Sequence, residues 1–189
     1  LNTVNAYFRN LKTNSRILFA SSSAIYGDVK NKISEKYNLY YPTSNYGEYK
    51  LLSEIYLNKF CKNKKIKLLI TRFPNVVGKP FTHGVIFDLA NKIKRNKFLE
   101  VLGDGSQKKP YVHVKELIEC IKFLMIKKKI ESPYLLGPND NGLTVKSLSK
   151  LLGGYFKYKK KIVFGKKKYG WVGDVPKYSL DLSFKGMDN

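Results

Sequence analysis

Two continuous apolar runs, "RILFAS" (16–21) and "KIKLLITRF" (65–73), stand on either side of a long helical stretch. Short runs without polar alternation read as strands covered on both faces, the habit of parallel sheets. Between them "YPTSNYG" supplies turn and N-cap chemistry, and a helix is expected from about Ser44 to Lys64. Another helix is expected over 1–13, with Val4, Tyr7, Phe8 and Leu11 at helical spacing. This alternation of helix and apolar strand implies an α/β fold built on a parallel sheet. After "PNVVGKPFTHG" the texture changes. Helices are expected over about 84–95, 114–128 and 144–152, with strands in "FLEVLGDGSQKKPYVHV", in "YLLG" and in a basic, tyrosine-rich region beyond. A soft boundary near residue 78 is expected to divide 1–78 from 79–189.

The chain has 189 residues, 43% of them hydrophobic and 14% aromatic, a globular composition. It opens on Leu1 in what reads as mid-helix and ends without a closing element, so it is expected to be a piece of a longer protein. No apolar stretch approaches the roughly 18 residues that span a bilayer, so no membrane partner is expected. Cys61 and Cys120 lack metal or redox spacing and read as free thiols in a reducing, cytoplasmic compartment. The net charge of +22 comes mostly from scattered lysines, with Arg only at positions 9, 16, 72 and 95. Readers of nucleic acid favour arginine and basic stripes, so no specific nucleic-acid partner is expected, only attraction of small anions.

Tyr46 and Lys50 lie four residues apart on the expected helix and share a face. An ammonium beside a phenol favours the phenolate, and a tyrosine so treated can exchange a proton with a sugar or alcohol hydroxyl. Upstream, "SSSAIYG" (21–27) ends the first strand in hydroxyls, at the edge where open α/β sheets bind ligands. Downstream, a second strand ends at Asn75 and Gly78, and "HGVIFDL" opens a helix on a glycine, a start that can receive a phosphate. His83 and His113 have no third ligand nearby and no metal site is expected. Asp104 reads as turn chemistry, and Trp171, Tyr155, Tyr158 and Tyr169 as packing groups.

"SSSAIYG", "YGEYK", "RFPNVVG", "LGDGSQKKPYVHVKEL" and "GWVGDVPKYSLD" together resemble the extended short-chain dehydrogenase/reductase family, in its nucleotide-sugar epimerase/dehydratase branch. The resemblance covers roughly residues 1–185. It implies a Rossmann-like parallel sheet, here only its C-terminal half, over 1–78, and a smaller α/β region for the nucleotide sugar over 79–189. It implies Ser22, Tyr46 and Lys50 as catalytic residues. Ser21, Tyr46, Lys50, Phe73 and Pro74 would meet the cofactor, NAD or NADP. Ser22, Asn75, Val85, Gln107, Lys109 and Asp174 would meet a nucleotide-diphosphate sugar. The usual Arg and Asp of the "GDGxQxR" segment are Lys109 and Pro110 here.

The resemblance implies epimerisation through transient oxidation to a keto-sugar, by a homodimer. Dehydratase members carry an Asp-Glu pair just after the catalytic hydroxyl; Ser23 and Ala24 stand there and disfavour dehydration, which needs proton carriers. Reduction, decarboxylation or dehydration within the family stays open, as does a non-catalytic, basic polyanion-binding protein. The family's Gly-x-x-Gly-x-x-Gly turn and its ribose-binding acid are absent from these residues. The first strands of the sheet are therefore expected before Leu1, and this stretch alone is expected not to hold a dinucleotide.

Overall fold

The computed structural model describes residues 8, 11–12, 14–29, 32–80, 82–95 and 98–182. The helix expected over 1–13 falls outside them except at Phe8, Leu11 and Lys12. The first apolar run forms β1 (Arg16–Ser22) and the second β2 (Lys67–Phe73), paired in parallel from Arg16↔Lys67 to Ser22↔Phe73. A short β7 (Tyr134–Leu135) joins β2 on its other side, also parallel, giving the order β1-β2-β7. Residues 69–72 of β2 are all buried, as expected of a central strand. β1 departs from the expectation of a doubly covered strand, and Leu18 is 36% exposed. Among the described residues β1 pairs on one edge only, so its side chains lack a neighbour on the other.

Helix α1 (Asn45–Lys64) connects β1 to β2. The Ser44 hydroxyl caps it, accepting from the Gly47 N–H at 3.2 Å, and Lys65 ends it in the left-handed conformation at φ 54°. Apolar residues run all round this helix. Leu57 and Cys61 are buried while Tyr49, Leu52 and Ile55 remain exposed.

The remaining elements are α2 (Val85–Lys94), α3 (Val114–Ile126), α4 (Val145–Tyr155) and short strands in pairs. β3 (Asn75–Val77) runs parallel to β6 (Tyr111–His113), and β4 (Leu99–Val101) parallel to β9 (Ile162–Phe164). β5 (Lys108–Lys109) is antiparallel to β8 (Leu143–Thr144). α3 returns to the sheet and packs Leu117 and Leu124 against Leu69, Tyr134 and Leu136. Thus α3 and β7, both beyond residue 78, complete the layer begun before it. α2 and α4 build a separate core with β4, centred on Leu89, Ile93, Leu99, Val101, Val145 and Leu148. Each such aliphatic side chain stabilises by about 1.5–3 kcal/mol when fully buried.

Candidate active site

The three serines after β1 have three separate fates. Successive strand residues point to opposite faces, and Ser21, 1% exposed, turns inward and donates to the Glu54 carboxylate of α1. Ser22 faces the other way and caps a 3-10 turn (Ser23–Tyr26), its Oγ accepting from the Ala24 N–H at 3.1 Å. Ser23 is buried and donates to the Tyr178 hydroxyl at 3.0 Å.

Two glycines bring α1 against this turn. Gly27 has φ +68°, and a Cβ there would meet the Tyr41 carbonyl at 1.8 Å. A Cβ on Gly47 would lie 2.6 Å from the Ala24 carbonyl. With neither Cβ present, the first turn of α1 abuts the 3-10 turn, and Tyr46 comes to the cleft that Ser22 lines. Lys50 stands one turn further on. Its Nζ donates to the Ala20 carbonyl at 2.7 Å and lies 5.6 Å from the centroid of the Tyr46 ring. Burial pulls the pKa of this ammonium down.

The cleft has a volume of about 630 Å³ and is also lined by Phe73, Pro74, His83 and Tyr178. A second cleft of about 830 Å³ adjoins it and is lined by α2, by Gln107 and by Asp174. Both volumes are those of small-molecule sites. Asn75, Gly84, Val85, Lys109, Tyr111 and Trp171 line both clefts and form the ridge between them. The parallel β3–β6 pair sets Asn75 beside Tyr111, and Asn75 Nδ2 donates to the Pro110 carbonyl at 3.3 Å. Val85 begins α2 after Gly84, which has no side chain to cap the helix start. Its first N–H groups are therefore available to an anion.

Lys109 donates to Asp174, and the other Asp174 oxygen accepts from the Gly170 N–H at 2.9 Å. Burial, with the Asp174 carboxylate nearby, pushes the Tyr111 phenol up to about 12. Gln107 is 2% exposed; its Nε2 donates to the Leu102 carbonyl at 3.2 Å, and its Oε1 has no partner among the described residues. The second cleft balances Lys92, Arg95 and Lys109 against Asp88, Glu100 and Asp174, so the chain's excess of lysine is not gathered there. Asp104 accepts from the Ser106 N–H at 2.8 Å, a local turn bond.

Of the residues singled out in the sequence, Ser22, Tyr46, Phe73 and Pro74 share the first cleft. Gln107 and Asp174 belong to the second, and Asn75, Val85 and Lys109 lie between. Ser21 and Lys50 line neither. The Ser21 hydroxyl is held by Glu54 inside the protein, and Lys50 reaches the site from behind Tyr46. Trp171, expected to pack, is 57% exposed on the ridge; Tyr155 and Tyr169 are exposed too, at 81% and 51%. Trp171 and Tyr169 sit in a lysine- and glycine-rich loop that offers no second layer to cover them. Tyr158 does pack, against the α2–α4 core.

The profile of the NAD dependent epimerase/dehydratase family matches residues 2–137. Among curated proteins, a dTDP-4-dehydro-6-deoxyglucose reductase of Escherichia coli is 28% identical over 166 residues, 84% of this chain and 51% of that protein. An uncharacterized UDP-glucose epimerase of Bacillus subtilis (strain 168) is 30% identical over 125 residues, 66% of this chain and 38% of its own length. Among solved structures, the UDP-glucose 4-epimerase of Thermotoga maritima with UDP-glucose superposes with a TM-score of 0.77 at 30% identity. The match covers 88% of this chain and 54% of that one. The chain thus spans about half the length, or less, of the relatives it matches.

Proposed function

Since the chain belongs to the NAD-dependent epimerase/dehydratase family, we propose that it carries the proton-transfer and substrate half of a nucleotide-sugar epimerase of the UDP-glucose 4-epimerase kind. One observation carries this reading: Ser22 and Tyr46 share a cleft that opens, over a ridge of Asn75, Val85 and Lys109, into a second cleft of similar size. A nucleotide sugar has that articulated shape. Its sugar would lie against Ser22 and Tyr46, its diphosphate on the ridge, and its nucleoside in the cleft beside Gln107 and Asp174. The α2 N-terminus favours negative charge at the middle position, and Lys109, though paired with Asp174, keeps further N–H donors for it.

In this arrangement Tyr46 Oη takes the proton from the reacting sugar hydroxyl and later returns it. The Lys50 ammonium lies 5.6 Å from the centroid of the Tyr46 ring, a cation–π contact that orients it. Ser22 Oγ hydrogen-bonds the sugar oxygen and fixes it against the phenol. NAD, when bound, supplies the redox chemistry of both half-reactions. Tyr46, Lys50, Phe73 and Pro74 are the residues that would hold its nicotinamide end. The donors of Lys50 suit that role, because one is committed to Ala20 and the rest can meet ribose hydroxyls.

Epimerisation is favoured over dehydration by what fills the two positions after Ser22. Ser23 spends its hydroxyl on Tyr178, and Ala24 presents a methyl group to the cleft. Neither can relay the proton that an elimination must move. We further infer a homodimer formed through α1, where Tyr49, Leu52 and Ile55 are 66%, 53% and 59% exposed on a helix whose apolar residues are spread round it among polar ones. The free thiols of Cys61 and Cys120 accord with a cytoplasmic setting. Among the described residues no helix is long and apolar enough to cross a membrane.

The test is to incubate the whole protein with NAD and UDP-glucose and separate the products by anion-exchange chromatography. Conversion to the 4-epimer is expected. A dehydrated product, or untouched substrate across a panel of UDP- and dTDP-sugars, would overturn the reading.

A further inference from the structure

We propose that the Arg72–Glu54 pair is a positioning device for the reacting groups, not a stabilising ion pair that happens to lie nearby. The inference rests on the site described above. Glu54 follows Tyr46 by eight residues and Lys50 by four, so all three lie along one face of α1. Tyr46 is at the cleft, while Glu54 and Arg72 are 3% and 4% exposed. Arg72 Nε donates to Glu54 Oε1 at 3.0 Å and Nη2 to Oε2 at 2.5 Å, a bidentate fork. Ser21 Oγ donates to the same Oε1. Arg72 Nη1 donates to the hydroxyls of Tyr26 at 2.9 Å and Tyr40 at 3.2 Å. The guanidinium carbon also lies 5.4 Å and 4.9 Å from the centroids of those two rings.

Each of these partners belongs to a segment that delivers a site residue. Ser21 precedes Ser22 on β1 and is the register partner of Arg72 on β2. Tyr26 closes the 3-10 turn that Ser22 caps. Tyr40 lies in the loop leading to Ser44 and α1, and Glu54 is part of α1 itself. One rigid, planar cation therefore sets strand end, turn, loop and helix relative to one another. A buried ion pair contributes little net stability and is often replaced by apolar residues without loss. A guanidinium fork, unlike an ammonium, fixes orientation.

The experiment compares three forms of the full-length enzyme: wild type and two variants. Arg72→Lys keeps the charge and loses the fork. The double variant Glu54→Leu/Arg72→Met removes the pair and refills its volume. For Arg72→Lys, kcat should fall about tenfold to a hundredfold, the scale of a small misplacement of reacting groups. KM for the nucleotide sugar should stay within about threefold. The double variant also leaves the Ser21, Tyr26 and Tyr40 hydroxyls without these partners and should melt lower, but assayed well below its own Tm it should keep the low kcat. A readout without turnover is amide exchange at Ala24 and Gly47, whose N–H groups bond Ser22 and Ser44. Both should exchange faster in the two variants while the β2 amides do not. A double variant with wild-type kcat, or losses of kcat that track Tm in every form, would overturn the proposal. Should the wild-type enzyme epimerise nothing, the reading of the reaction fails but the exchange measurement still decides. Unchanged protection at Ala24 and Gly47 would then overturn the positioning role.

Discussion

Replacing Tyr46 with Phe removes one oxygen atom and nothing else the fold depends on. The side chain is 56% exposed, and the ring's position over the Lys50 ammonium at 5.6 Å does not require the hydroxyl. Thermal stability should therefore move by no more than about 0.5 kcal/mol, the usual range for an exposed site. Turnover should respond very differently. A positioned proton-transfer group contributes about 10²–10⁴ in rate, which is about 2.7–5.4 kcal/mol of barrier at 1.36 kcal/mol per decade. KM should hold within about threefold, because Asn75, Lys109 and the α2 N-terminus lie outside the change. The assay follows the anomeric proton of the product by NMR, with Tm read in parallel. Ser22→Ala is the weaker test, since Ser22 also caps the 3-10 turn and its loss would mix a structural cost with a chemical one. If Tyr46→Phe turned over within tenfold of wild type, Tyr46 would not be the proton carrier.

Gly47→Ala should lower both stability, by about 1–3 kcal/mol, and kcat. Its Cβ would lie 2.6 Å from the Ala24 carbonyl and must push α1 off the turn. A purely thermal effect, with full turnover well below the new Tm, would contradict the role given to that approach. Trp171 is the sole tryptophan and lines both clefts, so its fluorescence should change saturably with a nucleotide sugar and not with the free sugar. A flat titration by a ligand shown to bind would move the substrate off the ridge. Burial raises the pKa of the Cys61 and Cys120 thiols. Groups raised on folding contribute their stability in full below the ordinary thiol value of about 8.5 and lose it as pH rises through the folded value. Melting across pH 7–10 should show a decline at the alkaline end that is shallower in a Cys61→Ala/Cys120→Ala variant, the buried Tyr26, Tyr111 and Tyr178 supplying the rest.

The parallel sheet was legible because its central strand carries the signal of burial in its own composition, and the start of α1 because Ser44 is a cap that needs only local atoms. β1 shows where that reading stops. "RILFAS" has the composition of a covered strand, yet cover depends on what lies alongside, and among the described residues only β2 does. The site was legible in part for a similar reason. Spacing placed Tyr46 and Lys50 on one face, a property of the helix alone. That the face meets Ser22 depends on Gly47 and Gly27, whose missing Cβ atoms admit the Ala24 and Tyr41 carbonyls. Ser21 is the instructive case. As a strand-end hydroxyl it reads like a ligand contact, but strand alternation sends it to the opposite face from Ser22. There the Glu54 carboxylate, itself held by the Arg72 guanidinium, receives it. Glu54 carried no motif, Arg72 opened the segment "RFPNVVG" without a role assigned to it, and a Glu on a surface helix ordinarily faces water. Only the three-dimensional convergence of Tyr26, Tyr40 and Glu54 on Arg72, with Ser21 on Glu54, distinguishes them. The residues proposed to act on substrate were thus flagged by spacing and by family resemblance, while those proposed to hold them in place become visible only once four segments of chain are brought to one point.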